Sequence, residues 1–486
     1  MKIRKLLIAN RGEIAVRIAR TARERGLRTV AVYSTADRDA RHVEFCDEAV
    51  EIGPPAALES YLSIPRVLDA AGRTGADAVH PGYGFLSENA DFAEAVEGAG
   101  LVWVGPPPAA MRAMGGKIPA RKRMLEAGVP VVPGFQDETA DDAALARAAD
   151  GIGFPVLVKA SAGGGGKGMR LIGAANDLAA GLAGARREAA AAFGDPTVYL
   201  EKAIERPRHV EMQIFGDRFG TVVALGEREC SIQRRHQKIV EEAPAASIAA
   251  ETRRRMAGAA AAAGRAVGYV GAGTVEFLVD GDERFFFLEM NTRLQVEHPV
   301  TEETLGIDLV AAQFDVAEGA PIPADWPGRA TRGHAIECRI YAEDPETHLP
   351  RSGTVLVYQE PSGPGIRVDS GIERGSRVGI DYDPILAKLV VRAGDRAAAV
   401  ARMRRALSEY AILGVTTNLP LLRRIVDSDG FAAGDTDTAF LARLPAVETR
   451  RPPAEAIAAA AAARGSSPAA ATAAGPWSET DGWRNR

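Results

Sequence analysis

Strand-like and helix-like segments alternate over the first 112 residues. Ile14, Ile18 and Ala22 recur at helical spacing, and Gly26 ends that helix. Apolar segments that read as strands lie at residues 5–9, 28–33, 78–79 and 101–104. This alternation predicts a Rossmann-like parallel sheet with crossover helices over residues 1–112. Because no GxGxxG follows the first strand, the pattern does not indicate a dinucleotide site.

Strand-like runs outnumber helices between residues 113 and 336. The runs lie at 156–159, 169–172, 197–201, 209–215, 222–225, 273–279 and 285–289. They predict an antiparallel or mixed α+β domain. Residues 337–446 read as a third domain, with strands at 355–358 and 385–391 before a helix at 398–411. Residues 447–486 are rich in Ala, Pro, Ser and Gly, which is typical of a linker.

Composition narrows the class of protein. The 486 residues include 59 Lys+Arg and 64 Asp+Glu, a net charge of -5, which argues against a nucleic-acid partner. Three cysteines without CxxC spacing suit a reducing compartment and no structural zinc. The apolar start is too short for a signal peptide, and no later run reaches membrane-spanning length. We therefore expect a soluble cytoplasmic protein with no membrane partner.

The most conspicuous loop is the glycine-rich segment at residues 160–168. Gly163, Gly165 and Gly168 formally satisfy GxGxxG, but the next residues read as a strand, so the loop joins a hairpin rather than opening a helix. Gly168 follows Lys167 where a Walker A loop needs Ser or Thr. The remaining interpretation is a glycine lid whose backbone N–H groups approach phosphate oxygens. The alternative is a mobile surface loop.

Polar residues recur at every second position after three phenylalanines at 285–287. An extended chain would project five of them to one side: Glu289, Asn291, Arg293, Gln295 and Glu297. A half-buried strand with a solvated face is the alternative. Glu276 lies in an apolar strand, where a carboxylate is costly unless paired or metal-bound. Glu276, Glu289 and Asn291 form an all-oxygen ligand set that suits Mg²⁺ held with substrate phosphates.

A third cluster lies at residues 229–238. Its donors Gln233, His236 and Lys238 suit ribose, phosphate or a small anion, although such a cluster is more often a charged loop. His209 is similarly ambiguous, since a lone histidine is commonly structural.

With these motifs in place, the chain resembles the biotin carboxylase family over residues 1–446. The matching segments are long and occur in the family's order, at 10–15, 80–89, 160–168, 230–238, 289–299 and 333–339. The resemblance implies an ATP-grasp fold, combining α/β and α+β parts. It places the pre-ATP-grasp domain at 1–112, the ATP-grasp domain at 113–336 with a glycine-lid subdomain near 131–204, and the biotin carboxylase C-terminal domain at 337–446.

The resemblance also implies roles for individual residues. It assigns ATP binding to Lys117, Lys159, Gly165, Gly166, Glu201, Lys202, Ala203, Ile204, His209, Gln233, His236, Glu276 and Glu289. Metal binding falls to Glu276, Glu289 and Asn291. Bicarbonate would be held by Lys238, Arg293, Gln295 and the backbone of Val296. Glu297 would be the base, and Arg339 would stabilise the biotin enolate, with Tyr83 and Asp383 nearby. Catalysis is thereby assigned to Arg293, Glu297, Arg339 and Lys238.

The implied activity is ATP- and bicarbonate-dependent carboxylation of biotin, with Mg²⁺ or Mn²⁺. No Met-Lys-Met biotinylation motif occurs in the sequence, so we expect the biotin to reside on a separate carrier protein. A carboxyltransferase subunit would be a further partner, and a homodimer is implied. Ala203 and Gly116 depart from the family pattern beside ATP positions. Trp477 and Trp483 suggest that the tail docks a partner, with a disordered remnant as the alternative.

Other functions stay open at this point. The chain could be the ATP-binding subunit of a pyruvate carboxylase, or a ligase that joins a carboxylate to an amine. It could also be a non-catalytic ATP-binding scaffold. Tyr341 and the overall length lean weakly towards the propionyl- and methylcrotonyl-CoA carboxylase type.

Overall fold

The N-terminal region is a five-stranded parallel sheet with helices between its strands. The structure is a computed structural model that describes residues 2–137, 139–161, 169–234 and 237–445. The strands are β1 (Lys5–Ile8), β2 (Arg28–Ser34), β3 (Glu48–Gly53), β4 (Ala78–His80) and β5 (Val102–Trp103), in the order β3-β2-β1-β4-β5. The helices are α1 (Gly12–Glu24), α2 (Arg41–Phe45), α3 (Ile64–Thr74), α4 (Ala90–Gly98) and α5 (Pro108–Gly115). The predicted apolar stripe Ile14, Ile18 and Ala22 is buried on α1.

A small four-stranded antiparallel sheet with its own apolar core follows. Helix α6 (Lys117–Glu126) leads into β6 (Gly134–Phe135), α7 (Asp142–Ile152), β7 (Val156–Ala160), β8 (Arg170–Ile172), α8 (Leu178–Phe193) and β9 (Val198–Lys202). The strand order is β6-β9-β7-β8. β7 and β8 pair antiparallel, so the glycine-rich segment joins a hairpin as predicted. Gly165 and Gly166 themselves lie outside the described residues.

One eight-stranded antiparallel sheet runs through the rest of the fold. Its first five strands are β10 (Arg208–Gly216), β11 (Val222–Arg234), β12 (Gln237–Ala243), β13 (Gly271–Val279) and β14 (Phe285–Asn291). Three more strands of the sheet are β15 (His334–Tyr341), β18 (Ile366–Ser370) and β20 (Ile385–Ala393). The order is β14-β13-β10-β11-β12-β15-β20-β18. Residue 336, the predicted end of the second domain, lies inside β15, which hydrogen-bonds to β12 on one side and β20 on the other.

Helices and short strands complete the fold. They are α9 (Ala250–Ala266), α10 (His298–Leu305), α11 (Leu309–Ala317), β16 (Gly353–Thr354), β17 (Val357–Gln359), β19 (Arg377–Val378), α12 (Arg396–Glu409), β21 (Ala411–Leu413), α13 (Leu419–Asp427) and α14 (Asp429–Ala433). Two predictions were displaced. The helix expected at 398–411 ends at Glu409, because Ala411 pairs with Gln359 in a strand. Of the strand expected at 355–358, only residues 357 and 358 lie in a strand, β17, and β16 ends before it at Thr354.

The large sheet is covered on both faces, and the two faces differ chemically. Ile336, Cys338 and Ile340 of β15 point into an apolar core. Glu337 and Arg339 alternate with them and lie on the opposite face, which α10 and the N-terminal helix α1 cover. A layer of buried charge therefore lies between the N-terminal region and the sheet. Residues up to 444 form one compact unit. No helix in the described part of the chain is long and apolar enough to cross a membrane.

Candidate active site

A row of four charged side chains crosses adjacent strands of the large sheet. Register pairs Arg228 of β11 with Glu211 of β10, Glu211 with Glu276 of β13, and Glu276 with Glu289 of β14. Directly opposed residues of an antiparallel pair share one face, so three carboxylates meet side by side. Arg228 and Glu211 are completely buried. Such a row is stable only with nearby cations, because a buried charge is costly unless it is paired.

Lys238 supplies the central cation of this row. Its Nζ donates to Glu211 Oε2 at 2.6 Å, to Glu276 Oε1 at 2.7 Å and to Glu297 Oε1 at 2.7 Å. Burial opposes its charge, but the carboxylates of Glu211, Glu276 and Glu297 outweigh burial and raise the pKa of Lys238 well above its usual value. Lys238 is therefore a permanent cation, and it lies where the three acids converge.

Glu297 is an ionised carboxylate held between two cations. Its Oε1 accepts from Lys238, and its Oε2 accepts from Arg339 Nη2 at 2.9 Å. The side chain is completely buried. Burial favours the neutral acid, yet Lys238, Arg339 and then Arg228 hold the pKa of Glu297 well below its usual range. Arg339 is fixed in turn by Glu241 Oε1 at 2.5 Å.

The loop that follows β14 brings the remaining polar residues of the predicted motif together. Arg293 Nη1 donates to Gln295 Oε1 at 2.5 Å, and its Nη2 donates to Asn291 Oδ1 at 3.2 Å. Asn291 Nδ2 and Gln295 Nε2 both donate to Glu276 Oε1, at 2.6 and 3.0 Å. The prediction of one extended segment to residue 297 was wrong, since β14 ends at Asn291. The side chains converge because the chain turns after Asn291.

A cavity of about 420 Å³ opens beside this cluster. Lys117, Glu289, Asn291 and Arg293 line it together with Met111 and Phe287. Burial and the neighbouring Lys159 ammonium lower the pKa of Lys117. Lys117 and Arg293 both line the cavity, and two positive charges facing one space favour an anionic occupant.

Glu201 binds two cationic side chains, those of Lys159 and Arg121. Its Oε2 accepts from Lys159 Nζ at 2.5 Å, and its Oε1 accepts from Arg121 Nη1 at 2.8 Å. The next residues are anchored to the segment that precedes β7. Lys202 Nζ donates to the carbonyls of Gly153 and Phe154 at 2.9 Å each. The backbone N–H of Ala203 donates to Pro155 O at 3.1 Å, and Ile204 follows at the end of this segment.

His209 of β10 and Gln233 of β11 extend the polar cluster around Glu276. His209 Nε2 lies 2.5 Å from Glu276 Oε2, and Gln233 Nε2 lies 3.4 Å from His209 Nδ1. Burial opposes protonation of the ring, but Glu276 raises the pKa of His209. His236, predicted beside them, lies outside the described residues.

Comparison with known proteins identifies this arrangement. The family models "Biotin carboxylase, N-terminal domain" and "Biotin carboxylase C-terminal domain" match residues 2–111 and 337–443. The model "Carbamoyl-phosphate synthase L chain, ATP binding domain" matches residues 116–325. The biotin carboxylase of Halalkalibacterium halodurans is 49% identical over 93% of this chain and 100% of its own length. The chain belongs to the biotin carboxylase family.

Two further relatives show the fold and the extent of the match. The biotin carboxylase domain of the Hydrogenobacter thermophilus 2-oxoglutarate carboxylase, a dimer in complex with MgADP, ADP and bicarbonate, superposes with a TM-score of 0.87. It is 42% identical and covers 92% of this chain and 100% of its own. The mitochondrial methylcrotonoyl-CoA carboxylase subunit alpha of Arabidopsis thaliana is 51% identical over 90% of this chain. The chain spans only 60% of that relative's length. The ATP-grasp fold and the biotin carboxylase family predicted from the sequence are both confirmed.

The predicted biotin-binding residues lie on the other side of Glu297 in this biotin carboxylase fold. The Tyr83 hydroxyl donates to Glu13 Oε1. Burial comes first in raising the pKa of Tyr83, and Glu13 and Asp383 add to it, while Arg339 opposes it. Tyr83 thus interacts electrostatically with both Asp383 and Arg339. No hydrogen bond joins these three side chains among the described residues. Asp383 Oδ1 accepts from the Ile385 backbone N–H at 2.9 Å.

The predicted oxygen ligands are compatible with a divalent cation. No hydrogen bond or ion pair to a described residue occupies the Glu289 carboxylate, which faces the cavity. Burial and the Glu276 carboxylate raise the pKa of Glu289. A cation placed between Glu276 and Glu289 would reduce the repulsion between the two carboxylates. Glu211, Cys230 and Glu297 also converge within 4.8 Å, but Lys238 already occupies that position as their cation.

Sequence reasoning missed several residues that shape the site. They are Glu13, Glu88, Arg121, Glu211, Arg228, Glu241 and Lys388. A usable signal existed for Glu211, a carboxylate within the strand-like run at 209–215, as Glu276 is within its own strand. Glu88 lies in the motif at 80–89, but the motif does not show that its Oε2 accepts from Arg293 Nε at 3.0 Å, across 205 residues of chain.

Proposed function

We propose that this protein uses ATP and bicarbonate to carboxylate biotin presented on a carrier protein, with carboxyphosphate as the intermediate. The observation on which the proposal rests is the buried, ionised Glu297, clamped between Lys238 and Arg339. This arrangement supplies a base and two cations at one point, beside a cavity lined by further cations. Deprotonating and orienting a bicarbonate anion requires that combination.

Bicarbonate binding resolves an apparent conflict in the chemistry of Glu297. A carboxylate whose pKa is held well below normal is a weak base. The first of the cations responsible, Lys238, also belongs to the proposed bicarbonate site, together with Arg293, Gln295 and the Val296 backbone. As Lys238 turns its donors towards the anion, Glu297 loses part of its stabilisation and its pKa rises. The base therefore becomes competent when its substrate arrives.

The cavity lined by Lys117 and Glu289 is the proposed ATP site. Lys117, Lys159, His209, Gln233, His236 and the Glu201–Ile204 segment would hold the nucleotide, and Gly165 and Gly166 would cover its phosphates. Glu276, Glu289 and Asn291 would hold Mg²⁺ or Mn²⁺. The metal would neutralise phosphate charge. Arg293, next to Asn291, would orient bicarbonate towards the γ-phosphate.

The reaction begins at the proposed ATP site and ends on the Arg339 side of Glu297. Bicarbonate, having given its proton to Glu297, attacks the γ-phosphorus, and ADP leaves. Carboxyphosphate then breaks its C–O bond to release CO₂ and phosphate. Phosphate takes the N1′ proton of biotin, and N1′ attacks CO₂. Arg339 stabilises the enolate oxygen, with Tyr83 and Asp383 beside the ring.

The partners belong to the same proposal. We expect a biotin carboxyl carrier protein as substrate and a carboxyltransferase subunit as the acceptor of carboxybiotin, in an acyl-CoA carboxylase. The named methylcrotonoyl-CoA carboxylase relative supports that assembly. A homodimer is supported by the dimeric relative from Hydrogenobacter. A cytoplasmic location stays a prediction, because the Arabidopsis relative is mitochondrial.

The proposal is tested by ADP release from the purified protein with MgATP and bicarbonate, with and without free biotin. We expect turnover that depends on bicarbonate and is stimulated by biotin. Glu297→Gln should abolish both dependences. The matched control is Glu227→Gln, a buried glutamate on β11 whose Oε1 binds Arg253 at 2.5 Å, away from the site. Equal turnover in Glu297→Gln and wild type would refute the assignment, as would a folded, ATP-binding wild type that never releases ADP.

A further inference from the structure

Lys388 is a completely buried lysine to which the proposed mechanism gives no role. It lies in the middle of β20, paired in register with Arg339 of β15 on one side and Asp369 of β18 on the other. Its side chain therefore shares the charged face of the sheet with Arg339. Burying an ammonium group is costly, so its position calls for partners that justify it.

The partners of Lys388 are unequal. Its Nζ donates one hydrogen bond among the described residues, to the backbone oxygen of Val296 at 2.9 Å. Glu13 Oε2 lies at 3.3 Å without hydrogen-bond geometry, and Asp369 Oδ2 lies at 4.0 Å. Asp369 already has a cation, since Arg367 Nη2 donates to it at 2.8 Å. Lys388 thus donates its hydrogen bond to a neutral carbonyl, although the carboxylates of Glu13 and Asp369 lie within 4.0 Å of its Nζ.

That carbonyl belongs to the peptide bond that leads into Glu297. Glu297 immediately precedes α10, and its carboxylate is bound by Arg339 from β15. Arg339 and Lys388 are register neighbours. Two adjacent positions of one rigid sheet therefore fix the same residue, one through its side chain and the other through its preceding peptide.

We infer that Lys388 is a positioning residue for Glu297 and for the Val296 backbone. The inference rests on the proposed function, because it assumes that Glu297 is the base. Rotation of the Val296–Glu297 peptide would shift the carboxylate and the proposed bicarbonate contacts together. A displacement of about 1 Å at a reacting group can cost ~10²-fold in rate.

The competing explanation is charge balance, in which Lys388 only neutralises Glu13. A charge-compensated pair of substitutions separates the two. Lys388→Met removes the ammonium but strands Glu13 in the interior, whereas Lys388→Met/Glu13→Gln removes both charges. Glu13→Gln alone is the matched control, because it retains Lys388 and an oxygen for the Tyr83 hydroxyl. Lys388→Arg is an independent variant, because it keeps the charge but relocates the donors.

Each variant is measured for thermal unfolding and for bicarbonate-dependent ADP release, with KM for ATP determined separately. We expect Lys388→Met/Glu13→Gln to unfold close to wild type, to keep the KM for ATP, and to lose about 10- to 100-fold in kcat. Lys388→Arg should lose kcat in the same way. Glu13→Gln measured alone gives the reference kcat, and the double variant should fall well below that reference.

Recovery of kcat in the double variant, or wild-type kcat in Lys388→Arg, would overturn the inference in favour of charge balance. If the double variant does not fold, Lys388→Arg still decides, because it keeps the counterion of Glu13. Wild-type protein is assayed in parallel. An inactive wild type would refute the proposed function and with it the role of Lys388, whereas an active wild type with an active double variant refutes the positioning role alone.

Discussion

At the scale of single residues, the site works through the placement of cations around buried carboxylates. Arg293 and Arg339 illustrate two environments for the same side chain. Arg293 lies at the cavity, and its partner Glu88 is 42% exposed. Arg339 lies between Glu241 and Glu297, which are both completely buried. Removing either arginine should impair catalysis, but only the loss of Arg339 should take a cation away from completely buried carboxylates.

Arg293→Ala should therefore lower kcat by ~10²–10³ with little change in stability, as expected for loss of one fixed donor at a site of charge development. Arg339→Ala should lose activity similarly and also unfold at a lower temperature, because it leaves two buried acids without their shared cation. Steady-state kinetics and thermal unfolding of both variants check this. A folded Arg339→Ala protein with wild-type turnover would rule out its assigned role.

Glu229 predicts a pH dependence of stability. Burial raises its pKa to about 7, and its Oε2 has no hydrogen-bond partner among the described residues. In the unfolded chain the carboxyl titrates near ~4.3, so between these values the folded state binds more protons. Its contribution is fully present below the unfolded pKa and is lost as the pH rises through about 7. Glu229→Gln should thus be stabilising at pH 8, by about 1–3 kcal/mol. It should be nearly neutral at about pH 4. Denaturant unfolding at both pH values measures the difference, and equal effects at the two would contradict the assignment.

At the scale of elements, Glu201 of β9 joins the small sheet to helix α6, which lines the cavity through Lys117 and Ala120. Glu201 binds Lys159 on β7 and Arg121 on α6. One of its oxygens therefore orients Lys159, and the other holds β9 against α6. We expect Glu201→Gln to free Lys159 and to raise the KM for ATP about tenfold, since a charged hydrogen bond contributes ~1.5–3 kcal/mol. The KM for bicarbonate should not change. Kinetics with each substrate varied separately test this. A larger effect on bicarbonate than on ATP would show that Glu201 does not act on the nucleotide side.

Local sequence patterns predicted most of these elements. The strand-like runs at 273–279 and 285–289 predicted β13 and β14, and the helical stripe Ile14, Ile18 and Ala22 predicted α1. The acid row was not predictable in the same way. Glu211, Glu276 and Glu289 become neighbours only through the register of three strands. Register between distant strands leaves no periodic signal in the sequence.

The candidate site was predictable for a different reason. The family motifs placed Lys238, Arg293, Glu297 and Arg339 in one site, and the structure brings them together. The residues outside those motifs were missed. Glu241 and Lys388 hold Arg339 and the Val296 peptide from strands that carry other charges as well, Lys238 and Glu242 on β12 and Arg392 on β20. That pattern alone does not distinguish a positioning residue from an isolated ion pair.

At the scale of the whole molecule, the eight-stranded sheet joins sequence regions that the family models treat separately. Strand β12 hydrogen-bonds β15, and the same apolar core contains Ile239 of β12 and Leu389 of β20. The proposed catalytic group depends on this continuity, since Glu297 precedes α10 and is bound by Arg339 of β15. The small sheet β6-β9-β7-β8 differs, because it has a core of its own.

This arrangement predicts how the protein opens. Strands β10 to β13 and strands β15 and β20 should unfold together. Strands β11, β12, β15 and β20 share one apolar core, and the hydrogen-bonded sheet and its buried charges join β10 and β13 to them. The small sheet should open at a lower free energy. Native-state hydrogen exchange at increasing denaturant measures both. Amides of β12, β15 and β20 should merge into one global opening, while those of β7 and β9 should exchange through a smaller one. If β15 and β20 exchanged well below the free energy of β10 and β13, the sheet would be two cooperative units, and the position of Arg339 would vary independently of Lys238.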